Sequence, residues 1–421
     1  MKKKIASLIL AATMAIGLLA GCGSKTGSVY WLNFKPEADE ALQEIAKTYE
    51  AETGVKVTIV TAASGTYEST LTSEMDKSEA PTLFVVGNSA AVKTWGDYCY
   101  DLKDTAVYKE LTTDDFTLYT EDGKAASIGY CYEAFGIIVN KTLLAKAGYS
   151  VADIKDFDSL KAVADDIHAR SAELGFDAFT SSGMDDSSSW RFSGHLANMP
   201  LYYESVDDGW TECPATIKGS YLDNYKKIWD LYITDSAYEA NTLATGGYDA
   251  EGEFLKGQAV FYQNGTWEYS ALSAVYGDDE IQMIPIYCGV AGEEKAGLCA
   301  GTENCWAVNA KASEEDIQAT LDFMYWMVTS EAGTSLMAEQ FGEIPYKKAA
   351  TNPNKFFQDA VALINEGKYS VTWAFNYTPN VNDWRATVVA AMNQYDNGGS
   401  WDDVVTAFVD GWATQYQAAN N

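Results

Sequence analysis

The order of apolar segments between residues 29 and 86 constrains the fold of this chain more than any other feature. Val29-Tyr30-Trp31-Leu32 reads as a strand. Pro36 suits the first turn of a helix, and Ala38, Leu42, Ile45, Ala46 and Tyr49 recur at helical spacing as one apolar stripe. Gly54 ends that helix, and Val55, Val57 and Ile59 alternate as a second strand. A short helical segment around 67–77 leads to Pro81-Thr82-Leu83-Phe84-Val85-Val86, a continuous apolar run typical of a strand buried on both faces. A β-α-β-α-β order needs crossover connections, so it implies a parallel sheet with helices on both faces. The chain is α/β.

The same rhythm returns further on. Phe135-Gly136-Ile137-Ile138-Val139 is another buried strand, and Asp158 is positioned to cap a helix carrying Leu160, Val163, Ile167 and Leu174. A helical segment at 250–256 precedes the strand Ala259-Val260-Phe261-Tyr262-Gln263. Ser313 with Asp316 has capping-box spacing ahead of a helix through Trp326. Amphipathic helices follow at 382–395 and 400–416, with Trp384, Val388 and Met392, then Val404, Val405, Phe408 and Trp412, on their apolar sides. Two α/β units with a helical C-terminal part are expected, without an internal repeat or a long linker.

Residues 1–22, MKKKIASLILAATMAIGLLAGC, read as an export signal: Lys2, Lys3 and Lys4 precede an apolar run that is too short to span a membrane. Leu19-Ala20-Gly21-Cys22 looks like a bacterial lipobox, in which the Cys22 sulfur takes a lipid and becomes the new N-terminus. An ordinary signal peptide with a chance cysteine is the alternative. On the lipobox reading residues 1–21 are removed and 22–28 form a short tether. About 400 residues remain, a length that usually divides into two domains. The expected location is the extracytoplasmic face of a bacterial membrane, held by lipid alone.

Composition narrows the partners. A formal charge of −31 leaves no basic patch for nucleic acid and disfavours anionic ligands. Besides Cys22 there are Cys99, Cys131, Cys213, Cys288, Cys299 and Cys305; the even number permits disulfides, but apolar contexts favour buried free thiols. With His168 and His195 the only histidines and no CxxC, no metal site is expected, and no cofactor. P-loop, dinucleotide, zincin and hydrolase-elbow motifs are all absent. Carboxylate pairs are inevitable among 60 acidic residues and say little about glycoside hydrolysis without geometry.

The aromatics are more telling. Trp31, Tyr67, Trp190, Trp267, Trp373 and Phe375 fall near turns or element ends beside Asn, Asp, Glu or Gly, and Trp306 lies in an expected strand. Sugars present apolar C–H faces rimmed by hydroxyls, so their sites combine stacking rings with amides and carboxylates. Core packing explains any one of these rings equally well; their coincidence points to sugar. Ser64-Gly65-Thr66-Tyr67-Glu68 adds a polar loop at a helix start, and Asn264, Glu303 and Asn304 are further candidates.

Four segments resemble the extracellular solute-binding proteins of carbohydrate ABC importers, the maltodextrin-binding type. PTLFVV at 81–86 looks like the family's A-P-D-hydrophobic strand, with Asn88 where that strand meets the cleft. EAFGIIVNKTLL at 133–144 is similar to its Y-N-K-D-L stretch, KGQAVFYQNGTW at 256–267 to its G-x-W segment, and 329–345 to its T-S-x-E-G…G-x-I-P region. The resemblance implies a two-lobed periplasmic-binding-protein fold of type II. Each lobe would be a mostly parallel sheet flanked by helices, closing on ligand by a hinge. It implies Glu133 as a hydroxyl acceptor, Trp267 as a stacking ring, Trp190 as a second platform and a contribution from Trp373–Phe375. Val139 and Thr142 depart from the usual Tyr and Asp, and Asn88 replaces an acidic cleft residue, which implies a different sugar pattern.

The expected division is 29–133 plus about 292–343 for lobe 1, and 134–291 plus about 344–421 for lobe 2. The expected function is capture of an oligosaccharide for delivery to ABC permease subunits, by a monomer and without catalysis. A surface glycoside-active enzyme, or a binder of a polyamine or peptide, remain the alternatives.

Overall fold

The structure, a computed structural model, describes residues 27–185, 187–238, 240–245, 248–342 and 344–420. The leader and the Cys22 lipidation site lie outside the described residues.

Among the described residues twelve strands form two sheets. The chain builds β1 (Val29–Asn33), β2 (Val57–Thr61), β3 (Leu83–Val85), β4 (Thr117–Tyr119) and β5 (Ala125–Gly129) in the first. It crosses over to make β6 (Glu133–Asn140), β7 (Asp177–Phe179), β8 (Ala259–Gly265), β9 (Ile281–Ile284) and β10 (Ala296–Gly301) in the second. Then it returns for β11 (Cys305–Val308) and crosses again for β12 (Tyr369–Thr372). The strand orders are β2-β1-β3-β11-β5-β4 and β12-β10-β6-β8-β7, with β9 beside β6.

The opening β-α-β-α-β unit forms as its periodicity requires. Leu42, Ile45, Ala46 and Tyr49 are the buried face of the helix Asp39–Thr53, which ends at Gly54, and β1 pairs in parallel with β2 and β3. Beyond that unit the sheets are mixed, not mostly parallel. Strand β11 arrives from the other sheet and so runs antiparallel to β3 and β5, while β6 runs antiparallel to β8, β9 and β10. Among the described strands parallel pairing recurs at β7–β8 and β10–β12. The chain returns to the first sheet through residues 302–304, about ten residues later than the division expected at 292, because β10 finds its partners in β6 and β12. Local pattern is silent on such long-range pairing.

Each sheet has its own core. In the first, Trp31 and Trp306 are fully buried with ring centroids 5.8 Å apart, and Tyr130 stacks on Trp306 at 4.7 Å. Trp31 is therefore core, not a cleft ring. In the second, Trp229, Trp384 and Trp412 pack with Phe192 and Phe408. Each large apolar side chain so buried contributes about 1.5–3 kcal/mol. The helix Phe157–Ala169 is capped by Asp156, which accepts from the Ser159 amide at 2.9 Å; Asp158 lies inside its first turn. Ser313 caps the helix Glu314–Thr329 by accepting from the Asp316 amide. The six described cysteines are free thiols, all but Cys213 buried. Among the described residues no helix is long and apolar enough to cross a membrane.

Candidate functional site

Strand β8 ends in Asn264-Gly265, and the chain turns through the short 3-10 segment Thr266–Glu268. Asn264 organises that turn. Its Oδ1 accepts from the Gly265 amide at 3.0 Å and from Trp267 Nε1 at 2.9 Å, while its Nδ2 donates to the Tyr262 hydroxyl at 2.6 Å and to Glu268 Oε1 at 2.8 Å. With every polar atom committed, Asn264 is a positioning residue for Trp267. The indole folds back over Gly265, where a Cβ would lie 2.1 Å from the ring, so no larger residue fits.

Trp267 belongs to an aromatic wall. Its ring centroid is 6.1 Å from Trp190 and 5.3 Å from His195; His195 in turn stacks on Phe135 at 4.2 Å with planes 9° apart. Trp373 and Phe375 back this wall, 5.6 and 6.5 Å from Phe135, and both are themselves buried. Trp190 and Trp267 are the half-buried members, and Trp190 Nε1 is held by the Ser187 carbonyl at 2.7 Å. Burial first, then the nearby Arg385 and Arg191 charges, push the His195 imidazole well below the usual histidine range, so it is neutral.

A polar edge faces the wall. Glu133, the first residue of β6, accepts from Lys35 Nζ at 2.8 Å through Oε1 and from Asn304 Nδ2 at 2.7 Å through Oε2. Lys35 comes from the loop after β1, which Asn33 closes by bonding both its amide and its carbonyl. The Lys35 ammonium also meets Glu37 at 2.8 Å and stands 5.8 Å over the Trp267 ring. Burial opposes its charge, but Glu133 and Glu37 overcome that and hold it above the usual lysine range. Burial pushes Glu268, beneath the wall, up to about 8, with Glu251 adding to the effect. A shallow concavity of about 20 Å³ adjoins Glu133 and Trp267, lined also by Gln340, Phe341 and Phe357.

The candidates read from the sequence thus divide. Glu133, Asn304, Trp267, Trp190 and Asn264 come together, with Trp373 and Phe375 behind. Glu303 is half-buried in the crossing segment beside Asn304, its carboxyl raised by burial, against the Arg385 charge. Tyr67 is packed in the first core, where its hydroxyl accepts from the Val85 amide at 2.7 Å and donates to the Leu32 carbonyl at 3.4 Å. Asn88 caps the helix Ser89–Trp95, accepting from the Ala91 amide at 2.8 Å. Both bind their own lobe together. Lys35, Phe135, His195 and Arg385 join the site in the fold, although nothing in their immediate neighbours in sequence signals a shared site. Among the described residues no group of three His, Cys, Asp or Glu side chains could hold a metal. Stacking faces beside fixed acceptors and donors suit a polyhydroxylated ring.

Known proteins place the chain. Residues 44–365 match the model of the bacterial extracellular solute-binding proteins. A maltooligosaccharide ABC transporter solute-binding lipoprotein of Streptococcus pneumoniae serotype 4 is 23% identical over 403 residues, covering 88% of this chain and 90% of the relative. Among solved structures, the solute-binding protein RafE in complex with raffinose has a TM-score of 0.72 at 16% identity, covering 94% of this chain and 100% of that one. The GacH receptor of Streptomyces glaucescens, studied unliganded and with acarbose, has a TM-score of 0.68 at 17% identity, covering 94% and 99%. These structures share the two-lobed fold. The chain belongs to the family of bacterial extracellular solute-binding proteins.

Proposed function

We propose that this protein captures an oligosaccharide between its two lobes and delivers it to an ABC importer, without catalysis. The observation that carries the reading is the aromatic wall of Trp190, Trp267 and His195 set against the Glu133–Asn304 edge, where two sheets meet. Stacking on the wall and hydrogen bonds from the edge would select a sugar ring over a flexible cation. The relatives that bind raffinose and acarbose support the same class. The two sheets, with their helices, are the two lobes of this reading. Cys22 carries the lipid, and the GSKTGS tether keeps the monomer beside its permease, which raises the effective concentration of loaded binder there.

A thermal-shift screen over α- and β-linked di- to hexasaccharides, with spermidine and a peptide as comparators, tests this. A ligand of the native state stabilises it by RT ln(1 + [L]/Kd), so saturating sugar raises the melting point. A shift with spermidine and none with any sugar overturns the reading. Reducing ends that rise in proportion to added protein overturn the non-catalytic part of it.

A further inference from the structure

Beside the aromatic wall lie polar groups that the protein leaves unsatisfied. Arg385, on the helix Val381–Asp396, places its guanidinium 5.7 Å over the Phe375 ring. It presses on Gly194, where a Cβ would lie 2.7 Å from a guanidinium nitrogen, so only glycine gives it this seat. Among the described residues the guanidinium has no hydrogen bond and no ion pair; its Nε is buried without a partner. Two more buried nitrogens nearby share that condition, Nδ1 of His195 and Nε1 of Trp373. The Phe375 ring links all three, 5.9 Å from His195 and 5.3 Å from Trp373.

Glu303 approaches from the crossing segment. The turn carrying Phe375 is bonded to that segment, Asn376 Nδ2 donating to the Thr302 carbonyl at 3.1 Å. Glu303 is the one charge that acts favourably on Arg385, yet the two do not pair. A half-buried guanidinium without hydrogen bond or ion pair, near a carboxylate it does not pair with, keeps its donors for a third group.

We propose that Arg385, His195 and Glu303 form an inner subsite for adjacent hydroxyls of one neutral sugar ring, Arg385 donating to one oxygen and Glu303 accepting from its neighbour. The planar guanidinium fork matches two neighbouring oxygens, and the neutral imidazole completes the ring's hydrogen bonds. Glu303 repels a ligand carboxylate, so a uronate is disfavoured although an arginine is present. This rests on the oligosaccharide reading above and adds which residues choose the sugar.

Calorimetric titrations of the wild-type chain, Arg385→Gln, Arg385→Lys and Glu303→Gln with raffinose, maltotriose and trigalacturonate test it. The neutral trisaccharide that wild type binds is expected to lose about 10–150-fold in affinity in Arg385→Gln and in Glu303→Gln, the range of a hydrogen bond to a charged group. Arg385→Lys recovers only part. Trigalacturonate binds wild type more weakly than the neutral sugar and gains in Glu303→Gln. The melting point of unliganded Arg385→Gln falls little, because no hydrogen bond or ion pair is lost. Unchanged affinity in Arg385→Gln and Glu303→Gln, or trigalacturonate as the tightest ligand, overturns the subsite while sugar capture stands. Wild type that binds none of the three, and no oligosaccharide of the wider screen, overturns both. Glu303→Gln, on the opposite segment, keeps the test decisive if the arginine variants misfold.

Discussion

The Lys35 ammonium lies 2.8 Å from the Glu133 carboxylate, a contact between residues 98 positions apart that ties the loop after β1 to the strand opening the second sheet. Both side chains are about 5% exposed, and Glu37, Asn304 and the Trp267 ring complete their surroundings. One buried charge pair therefore joins the two sheets at the edge of the aromatic wall.

Removing one partner of that pair strands the other. Lys35→Met is expected to cost about 3–5 kcal/mol in urea unfolding, and Lys35→Met with Glu133→Gln to recover part of it. Because its carboxylate neighbours hold the ammonium above the ordinary value, its contribution is fully present below pH about 10.4 and fades only in stronger alkali. A cost under about 1 kcal/mol would place the pair in effective contact with solvent.

Glu268 makes stability depend on pH in the opposite sense. Its folded-state value is raised from 4.5 to about 8, so the native state holds a proton that the unfolded chain releases. Stability from this group is fully present below about pH 4.5 and is lost as pH rises through about 8. Glu268→Gln should flatten that fall, on the order of a few kcal/mol between the two pH values. Parallel wild-type and variant curves would refute the assignment.

Trp267→Ala should weaken sugar binding by about 1–3 kcal/mol in calorimetry while leaving the second lobe folded. Asn264→Ala, which frees the indole from its anchor, should give a smaller loss. A lowered melting point with unchanged affinity would make Trp267 a core residue.

Tyr67→Phe separates fold from site. The hydroxyl joins β1 to β3 through Leu32 and Val85, and its loss leaves the buried Val85 amide unpaired. A cost of about 1–3 kcal/mol in stability is expected with sugar affinity unchanged. Lost affinity at full stability would return Tyr67 to the cleft.

What could be read without coordinates follows how local each signal is. The first β-α-β-α-β unit was legible because Leu42, Ile45 and Tyr49, then Val57 and Ile59, state their periods within a few residues. A helix start is uncertain by one or two residues, and here the cap is Asp156 in place of Asp158. Trp31 and Trp190 look alike in sequence, each an aromatic close to a turn. Only the position of β1 between β2 and β3 puts Trp31 in the core, and that depends on its partners Ile59 and Leu83, 28 and 52 residues away. Sheet membership of β10 failed for the same reason. At the site, Glu133 came from a family resemblance and Trp267 from that and from its place beside a turn, whereas Lys35, His195 and Arg385 acquire their roles from crossings of the chain that no local window contains.

Sugar capture in the cleft is tested most directly by calorimetric titration of the mature chain with the oligosaccharide that raises its melting point most. The account predicts saturable heat with one sugar per chain, and no new reducing ends in the recovered sample. Absence of binding heat with every oligosaccharide in the screen, alongside saturable heat with spermidine, would contradict it.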